Sequence, residues 1–207
     1  EIYYSIQGES SLSGLPCIFI RLTYCNLRCS YCDSEYAFYE GEDLTVDEIV
    51  SEIKQYNCNL VEVTGGEPLL QTECIKLLNK LIDKNYEVML ETSGSLPINL
   101  VPESVKKIID FKCPSSNMKK KNLWDNINYL TLNDEVKFVI GDRKDYDWAK
   151  NKIKKYNLTN ICKVLMSPTY NQIESRMITE WILEDNLDIR FQIQLHKAIW
   201  PEEERGV

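Results

Sequence analysis

Cys17-Ile18-Phe19-Ile20-Arg21-Leu22 runs directly into Thr23-Tyr24-Cys25-Asn26-Leu27-Arg28-Cys29-Ser30-Tyr31-Cys32. The first six residues are apolar but for one arginine and read as a strand, with Cys17, Phe19 and Arg21 on one face and Ile18, Ile20 and Leu22 on the other. The next ten place three thiols at Cys-x3-Cys-x2-Cys just beyond the strand. Thiolates are soft ligands that suit iron–sulfur clusters or zinc. No fourth cysteine lies nearby to complete a zinc tetrahedron. Three protein ligands on a cluster leave one iron open to a cofactor or substrate. A zinc site completed by a distant cysteine is the structural alternative.

Outward from this stretch, short apolar runs alternate with helical ones. Strand-like runs are Leu60–Thr64, Tyr86–Glu91, Lys107–Lys112, Glu135–Ile140, Ile161–Met166 and Asp188–Leu195. A helix starts at Thr45 with Glu48 three residues on as a capping box, and Val46, Ile49, Val50 and Ile53 form one apolar face. Further helices are expected over 72–84, 143–156 and 171–184, and 113–124, with Lys119–Lys121, reads as a polar loop. Such alternation predicts a mainly parallel sheet with helices outside it. Along the strands, Glu91 shares a face with Glu87 and Met89, Lys137 with Val139, and Gln192 with Gln194 and His196. Those faces line either a polar lumen or a solvated side of an open sheet.

With 207 residues, 43% of them hydrophobic, the chain suits one well-buried core. A net charge of −8 disfavours a protein built to grip nucleic acid directly. No apolar run is long enough for a membrane span, and the opening Glu1–Ser10 has neither the basic start nor the apolar stretch of a signal peptide. Eight cysteines without an export signal read as a reducing cytoplasm and one metal cluster. A few native residues are expected before Glu1.

Thr64-Gly65-Gly66-Glu67-Pro68 follows the Leu60 strand. Glycines there let backbone approach a ligand closely. The cysteine spacing, with Tyr31 before the last thiol, resembles the signature of the radical S-adenosylmethionine (SAM) superfamily, and the glycine motif resembles its SAM-amine contact. This resemblance implies a 4Fe–4S cluster on Cys25, Cys29 and Cys32 that cleaves SAM reductively. The fold it implies is α/β, a partial TIM-type (β/α)6-like barrel with a reduced helical complement, in a single domain over 1–207 with a cluster loop at 25–34. It further implies that Gly66, Glu67, Ser93, Lys112, Ser115, Lys137 and Ser167, at the carboxyl ends of strands, bind the cofactor.

The termini narrow the resemblance. Ile2-Tyr3-Tyr4-Ser5-Ile6-Gln7-Gly8-Glu9, Cys32-Asp33-Ser34, Lys112-Cys113-Pro114-Ser115-Ser116 and Gln194-Leu195-His196-Lys197-Ala198-Ile199-Trp200 are similar to the 7-carboxy-7-deazaguanine synthase family. That similarity implies conversion of 6-carboxy-5,6,7,8-tetrahydropterin to 7-carboxy-7-deazaguanine and ammonia, on the route to queuosine. Hydrogen leaves carbon 6 of the pterin, the ring contracts, and SAM is regenerated. It implies a substrate pocket of Gln7, Gly8, Glu9, Arg21, Thr64 and His196, closed by a C-terminal tail over 192–207. A carboxylate such as Glu9 can accept from an amidine-like pterin edge, and Arg21 can meet a substrate carboxylate through its planar fork. Ser34 offers a hard oxygen to Mg²⁺, with Asp33 close behind. Two departures from the family pattern are Ser34, where threonine is usual, and Ser10, where glycine is usual. A flavodoxin or ferredoxin-type reductant and a homodimer are the implied partners. The rival readings are another radical SAM enzyme, such as a glycyl-radical activase, and an iron–sulfur carrier or zinc-stabilised binding module.

Overall fold

The computed structural model describes residues 1–200 together with Arg205 and Gly206. Eight strands form one sheet in sequence order: β1 (Ile2–Ile6), β2 (Pro16–Leu22), β3 (Leu60–Gly65), β4 (Glu87–Thr92), β5 (Lys106–Asp110), β6 (Glu135–Ile140), β7 (Lys163–Pro168) and β8 (Arg190–Phe191). β1 runs antiparallel to β2, and every later neighbour is parallel. The helices are α1 (Val46–Glu52), α2 (Cys74–Asp83), α3 (Arg143–Tyr156), α4 (Ser175–Glu184) and α5 (Leu195–Ile199). α1 to α4 follow β2, β3, β6 and β7, whereas the crossovers after β4 and β5 contain no α-helix. This is the partial barrel with few helices that the cysteine motif implied.

Local chemistry explains most boundaries. Thr45 and Glu48 form a reciprocal capping box at the start of α1. α2 buries Cys74, Leu77, Leu78 and Leu81, the i, i+3, i+4, i+7 stripe of one face. Each such leucine contributes about 1.5–3 kcal/mol of burial. α3 spans Arg143–Tyr156 and ends at Asn157 in the left-handed conformation. The polar loop at 113–124 contains short 3-10 turns, and Lys119–Lys121 is exposed within one of them.

The sheet has two buried faces. Ile18, Ile20, Val61, Val63 and Leu90 pack outward against the helices. Cys17, Phe19, Leu60, Met89 and Ile108 form a separate inward apolar layer joined by Leu12. Above it the inward positions turn polar with Glu62, Asp110 and Lys137, all buried. The alternation therefore describes a lumen and not a solvated face. The loop between β1 and β2 plugs it, with Leu12 in the apolar layer and the Ser11 amide donating to Glu135 at 3.1 Å.

Two expectations change, and one strand is added to those expected. Ile2–Ile6 is a strand, paired from Ile2 against Ile20 to Ile6 against Pro16. The run 188–195 is extended and paired only at Arg190–Phe191, and Leu195–Ile199 is helical. There the Leu195 amide donates to the Gly8 carbonyl at 2.8 Å, which draws the chain off the sheet and across the cavity. The shared strand face of Gln192, Gln194 and His196 therefore does not exist. Helix α4 begins at Ser175 and not near 171, and Asn171 adopts a positive φ of 56° in the turn before it. Of the expected tail over 192–207, positions 201–204 and 207 lie outside the described residues.

Candidate active site

The carboxyl ends of the strands surround one cavity of about 800 Å³. Strand direction brings the motifs together: Cys25, Cys29 and Cys32 leave β2, Gly65 and Gly66 leave β3, Ser93 leaves β4, and Lys112 leaves β5. Lys137 and Ser167 reach it from β6 and β7. Gln7, Gly8 and Glu9 enter from the plug loop, Arg21 and Thr64 from within β2 and β3, and His196 from α5.

The cysteine loop is braced. The Arg28 guanidinium donates to the Cys25 carbonyl at 2.8 Å and lies 4.2 Å from the Phe38 ring centre. The Ser30 hydroxyl donates to the Ser115 carbonyl at 2.6 Å. A Cβ on Gly66 would overlap the Tyr24 carbonyl oxygen and sit 2.8 Å from Cys25 Cβ, so only glycine allows this approach. Burial pushes the Cys29 thiol up to about 11 and raises Cys25 and Cys32 in the same direction. Among the described residues, no three His, Cys, Asp or Glu side chains converge on one ion. A cubane needs no such convergence, because each thiolate takes a different iron. Three half-buried soft donors beside an open cavity fit a 4Fe–4S cluster.

The rest of the wall suits a polar ligand. Tyr31 Oη, Asp110 Oδ1 and Thr169 Oγ1 are buried on the cavity with no hydrogen-bond partner among the described residues. Such orphaned atoms are costly unless a ligand completes them, and they fit a molecule as rich in polar groups as SAM.

Deeper in the lumen, Lys137 Nζ lies 2.6 Å from Glu9, 2.5 Å from Glu91 and 4.0 Å from Asp110. Burial alone would raise the Glu9 carboxyl, but the Lys137 ammonium outweighs it and holds Glu9 at about 2. Burial acts against the Lys137 charge too, yet Glu9 and Glu91 raise it well above the ordinary lysine value. Arg21 donates to the Tyr3 hydroxyl at 2.9 Å and pairs with Glu1 at 3.2 Å. Burial lowers His196 below its usual value, so the ring is neutral near pH 7. Ser34 is half-buried and donates to the exposed Asp33 at 3.1 Å, while Lys197 holds the other Asp33 oxygen at 2.5 Å.

The model of the radical SAM superfamily matches residues 19–171 of this chain. A 7-carboxy-7-deazaguanine synthase of Koribacter versatilis is 44% identical over all of this chain and 98% of its own length. The same enzyme of Chlorobaculum tepidum is also 44% identical, over all of this chain and 96% of its own length. The chain belongs to the 7-carboxy-7-deazaguanine synthase family, within the radical SAM superfamily. Membership implies a 4Fe–4S cluster and SAM. In fold, it resembles the crystal structure of QueE from Escherichia coli, with a TM-score of 0.77 over 95% of this chain and 92% of that one at 19% identity.

Two residues expected to touch the cofactor do not line the cavity of this synthase-family chain. The Glu67 carboxylate is fully buried and accepts from the Thr92 hydroxyl at 2.8 Å and from the Ser93 amide at 2.9 Å. It ties the glycine loop to the end of β4. Ser115 donates its amide to Asp145 at 2.9 Å, and its hydroxyl bonds the same carboxylate, so it braces the cysteine loop from behind. Lys137 lines the cavity but is committed to carboxylates. Glu62, Thr169 and Gln172 line the cavity without having been expected there. For Glu62 a signal existed, since a charged residue at an inward strand position in Leu60-Val61-Glu62-Val63-Thr64 cannot be solvated if its strand is central. Ser10, where the family pattern has glycine, adopts φ 60°, the left-handed region that glycine occupies without cost.

Gly8 packs against His196 so closely that an added Cβ would overlap the imidazole, 2.9 Å from its Cγ and 3.0 Å from the His196 backbone nitrogen. Gly8→Ala is expected to displace α5 and weaken substrate binding by about tenfold, as for a lost hydrogen bond. Iron content would stay at the wild-type level. Calorimetric titration with substrate checks this, and unchanged affinity would show that α5 does not position the pocket.

Proposed function

We infer that the chain converts 6-carboxy-5,6,7,8-tetrahydropterin to 7-carboxy-7-deazaguanine with loss of ammonia, in the synthesis of queuosine precursors. The observation that carries this reading is one cavity holding both the three-thiol loop and a Glu9 carboxylate paired with Lys137 at 2.6 Å. When bound, the cluster and SAM supply a radical able to take hydrogen from a C–H bond. The protein's own residues bind and orient. Cys25, Cys29 and Cys32 hold the cluster. Gly66, Ser93, Lys112 and Ser167 line the same cavity and would contact SAM, with Glu67 and Ser115 supporting them. Glu9, kept charged by Lys137, accepts from the donor edge of the pterin. Arg21 meets the pterin carboxylate, with Gln7, Gly8, Thr64 and neutral His196 completing the pocket. Ser34 supplies a hydroxyl oxygen to a Mg²⁺ ion, with Asp33 behind it.

The wider assignments rest on the same family resemblance. They are a flavodoxin or ferredoxin-type electron donor, a homodimer, and a cytoplasmic location. No described helix is long and apolar enough to cross a membrane.

The test is anaerobic turnover of iron-reconstituted protein with SAM, reductant, Mg²⁺ and the pterin, followed by mass spectrometry. Product in excess of SAM consumed supports the reading, and 5′-deoxyadenosine without product overturns the substrate. Glu9→Ala is expected to keep the cluster and uncoupled SAM cleavage but to lose pterin affinity by about 10²-fold, as for a hydrogen-bonded charge removed from a largely desolvated site. Unaltered affinity would remove Glu9 from the pocket.

A further inference from the structure

We propose that Glu62 sits in the floor of the cavity as a neutral carboxylic acid and, through Gln7, sets the position of Glu9. The proposal rests on the pterin reading of this pocket. The Gln7 amide nitrogen donates to Glu62, and the Gln7 side-chain oxygen accepts the Glu9 backbone amide at 2.8 Å. Gln7 is therefore clamped at both ends, with Glu62 below and the recognition loop above.

The charges in the lumen decide the state of Glu62. Four carboxyl groups, Glu9, Glu62, Glu91 and Asp110, meet three cations carried by or following the strands, Arg21, Lys112 and Lys137, and Arg21 is turned to Glu1 and the Tyr3 hydroxyl. Lys137 is taken by Glu9 and Glu91, and Lys112 by Asp110 at 2.7 Å. Glu62 is 3% exposed and has no cationic partner among the described residues. An unpaired carboxylate buried this way neutralises itself by taking a proton. Tyr3 on β1, Cys17 on β2, Glu91 on β4, Lys137 on β6 and Glu9 on the plug loop face it. Tyr3 and Cys17 are themselves pushed up by burial and stay neutral. Burial raises Glu62, Glu91 and Glu9 add to the rise, and Lys137 offsets only part of it. A neutral acid accepts from Gln7 without placing a second negative charge under Glu9. Glu62 is thus a positioning residue, and its charge state matters as much as its hydrogen bond.

Reconstituted holoenzyme is titrated with the pterin by anaerobic calorimetry from about pH 6 to about pH 9. Glu62→Ala is expected to weaken binding by about tenfold. Glu62→Gln, a neutral isostere that still accepts from Gln7, recovers most of that loss. Wild-type affinity falls as pH rises and Glu62 ionises, and Glu62→Gln lacks that fall. A carboxylic-acid C=O stretch in the infrared spectrum near pH 7 disappears in the same variant. If Glu62→Gln binds no better than Glu62→Ala, or the acid band is unchanged, the proposal is overturned. If wild-type protein does not bind the pterin at all, the substrate reading fails instead, and the infrared band still reports the protonation of Glu62 without any ligand.

Discussion

Cys29→Ala is expected to yield a folded protein that holds no intact cluster and turns over more than about a thousandfold more slowly, which is about 4 kcal/mol of transition-state stabilisation. The three thiols are half-buried at the mouth of the cavity, and none of the other five cysteines belongs to their loop. Cys17, Cys74, Cys113 and Cys162 are buried, and Cys58 packs beside the apolar floor of the lumen. No spare ligand can therefore replace Cys29. The fold does not depend on the thiol, because the loop is pinned by Ser30 to Ser115 and by Arg28 to Cys25 and Phe38. Iron analysis, the cluster's visible absorption and far-ultraviolet circular dichroism separate the two effects. Retention of iron and activity together would refute the ligand assignment.

Lys137→Met should be the most destabilising single change in the lumen. The Lys137 side chain is 5% exposed and lies within hydrogen-bond distance of Glu9 and Glu91. Removing it leaves two half-buried carboxylates, 17% and 23% exposed, without their cation, and breaking a buried ion pair costs at most roughly 3–5 kcal/mol. Against a typical domain stability of about 5–15 kcal/mol, that is a large share. The effect depends on pH in a definite direction. Glu9 is held at about 2, below its ordinary 4.5, so its contribution is present above the ordinary value and is lost as pH falls through the range between them. The stability gap between wild type and Lys137→Met should therefore narrow as the solution is acidified through that range. Urea unfolding at neutral and acid pH measures it, and adding Glu9→Gln to Lys137→Met should restore part of the loss. Equal unfolding midpoints for wild type and Lys137→Met at neutral pH would show that the Lys137 contacts contribute nothing to stability.

Much of the architecture was legible along the chain because it is encoded locally. The capping box at Thr45, the apolar stripe of α2 and the strand Glu135–Ile140 depend on residues near one another in sequence. The cysteine and glycine motifs were legible for the same reason, since one short loop carries each. Boundaries failed where a distant group intervened. The 188–195 run has strand-like alternation, but Gly8, far away in sequence, captures the Leu195 amide and turns the segment into α5. The strand Ile2–Ile6 carries no strong pattern of its own and is made a strand by pairing with β2.

By itself, then, the sequence determined the class of chemistry, three soft ligands on a loop behind a strand with a glycine turn to follow, and the α/β order that supports it. Tertiary structure alone decided which polar side chains are charged and which only support others. Glu9, Glu62, Glu67 and Glu91 are all glutamates at motif or strand positions, yet Glu9 is ion-paired, Glu62 has only an amide, Glu67 is spent on Thr92 and Ser93, and Glu91 shares a lysine. Their partners lie up to 185 positions away in the chain. The state of a buried carboxyl depends on those partners and on the water it has lost, and neither is a property of the residue or its neighbours in the chain.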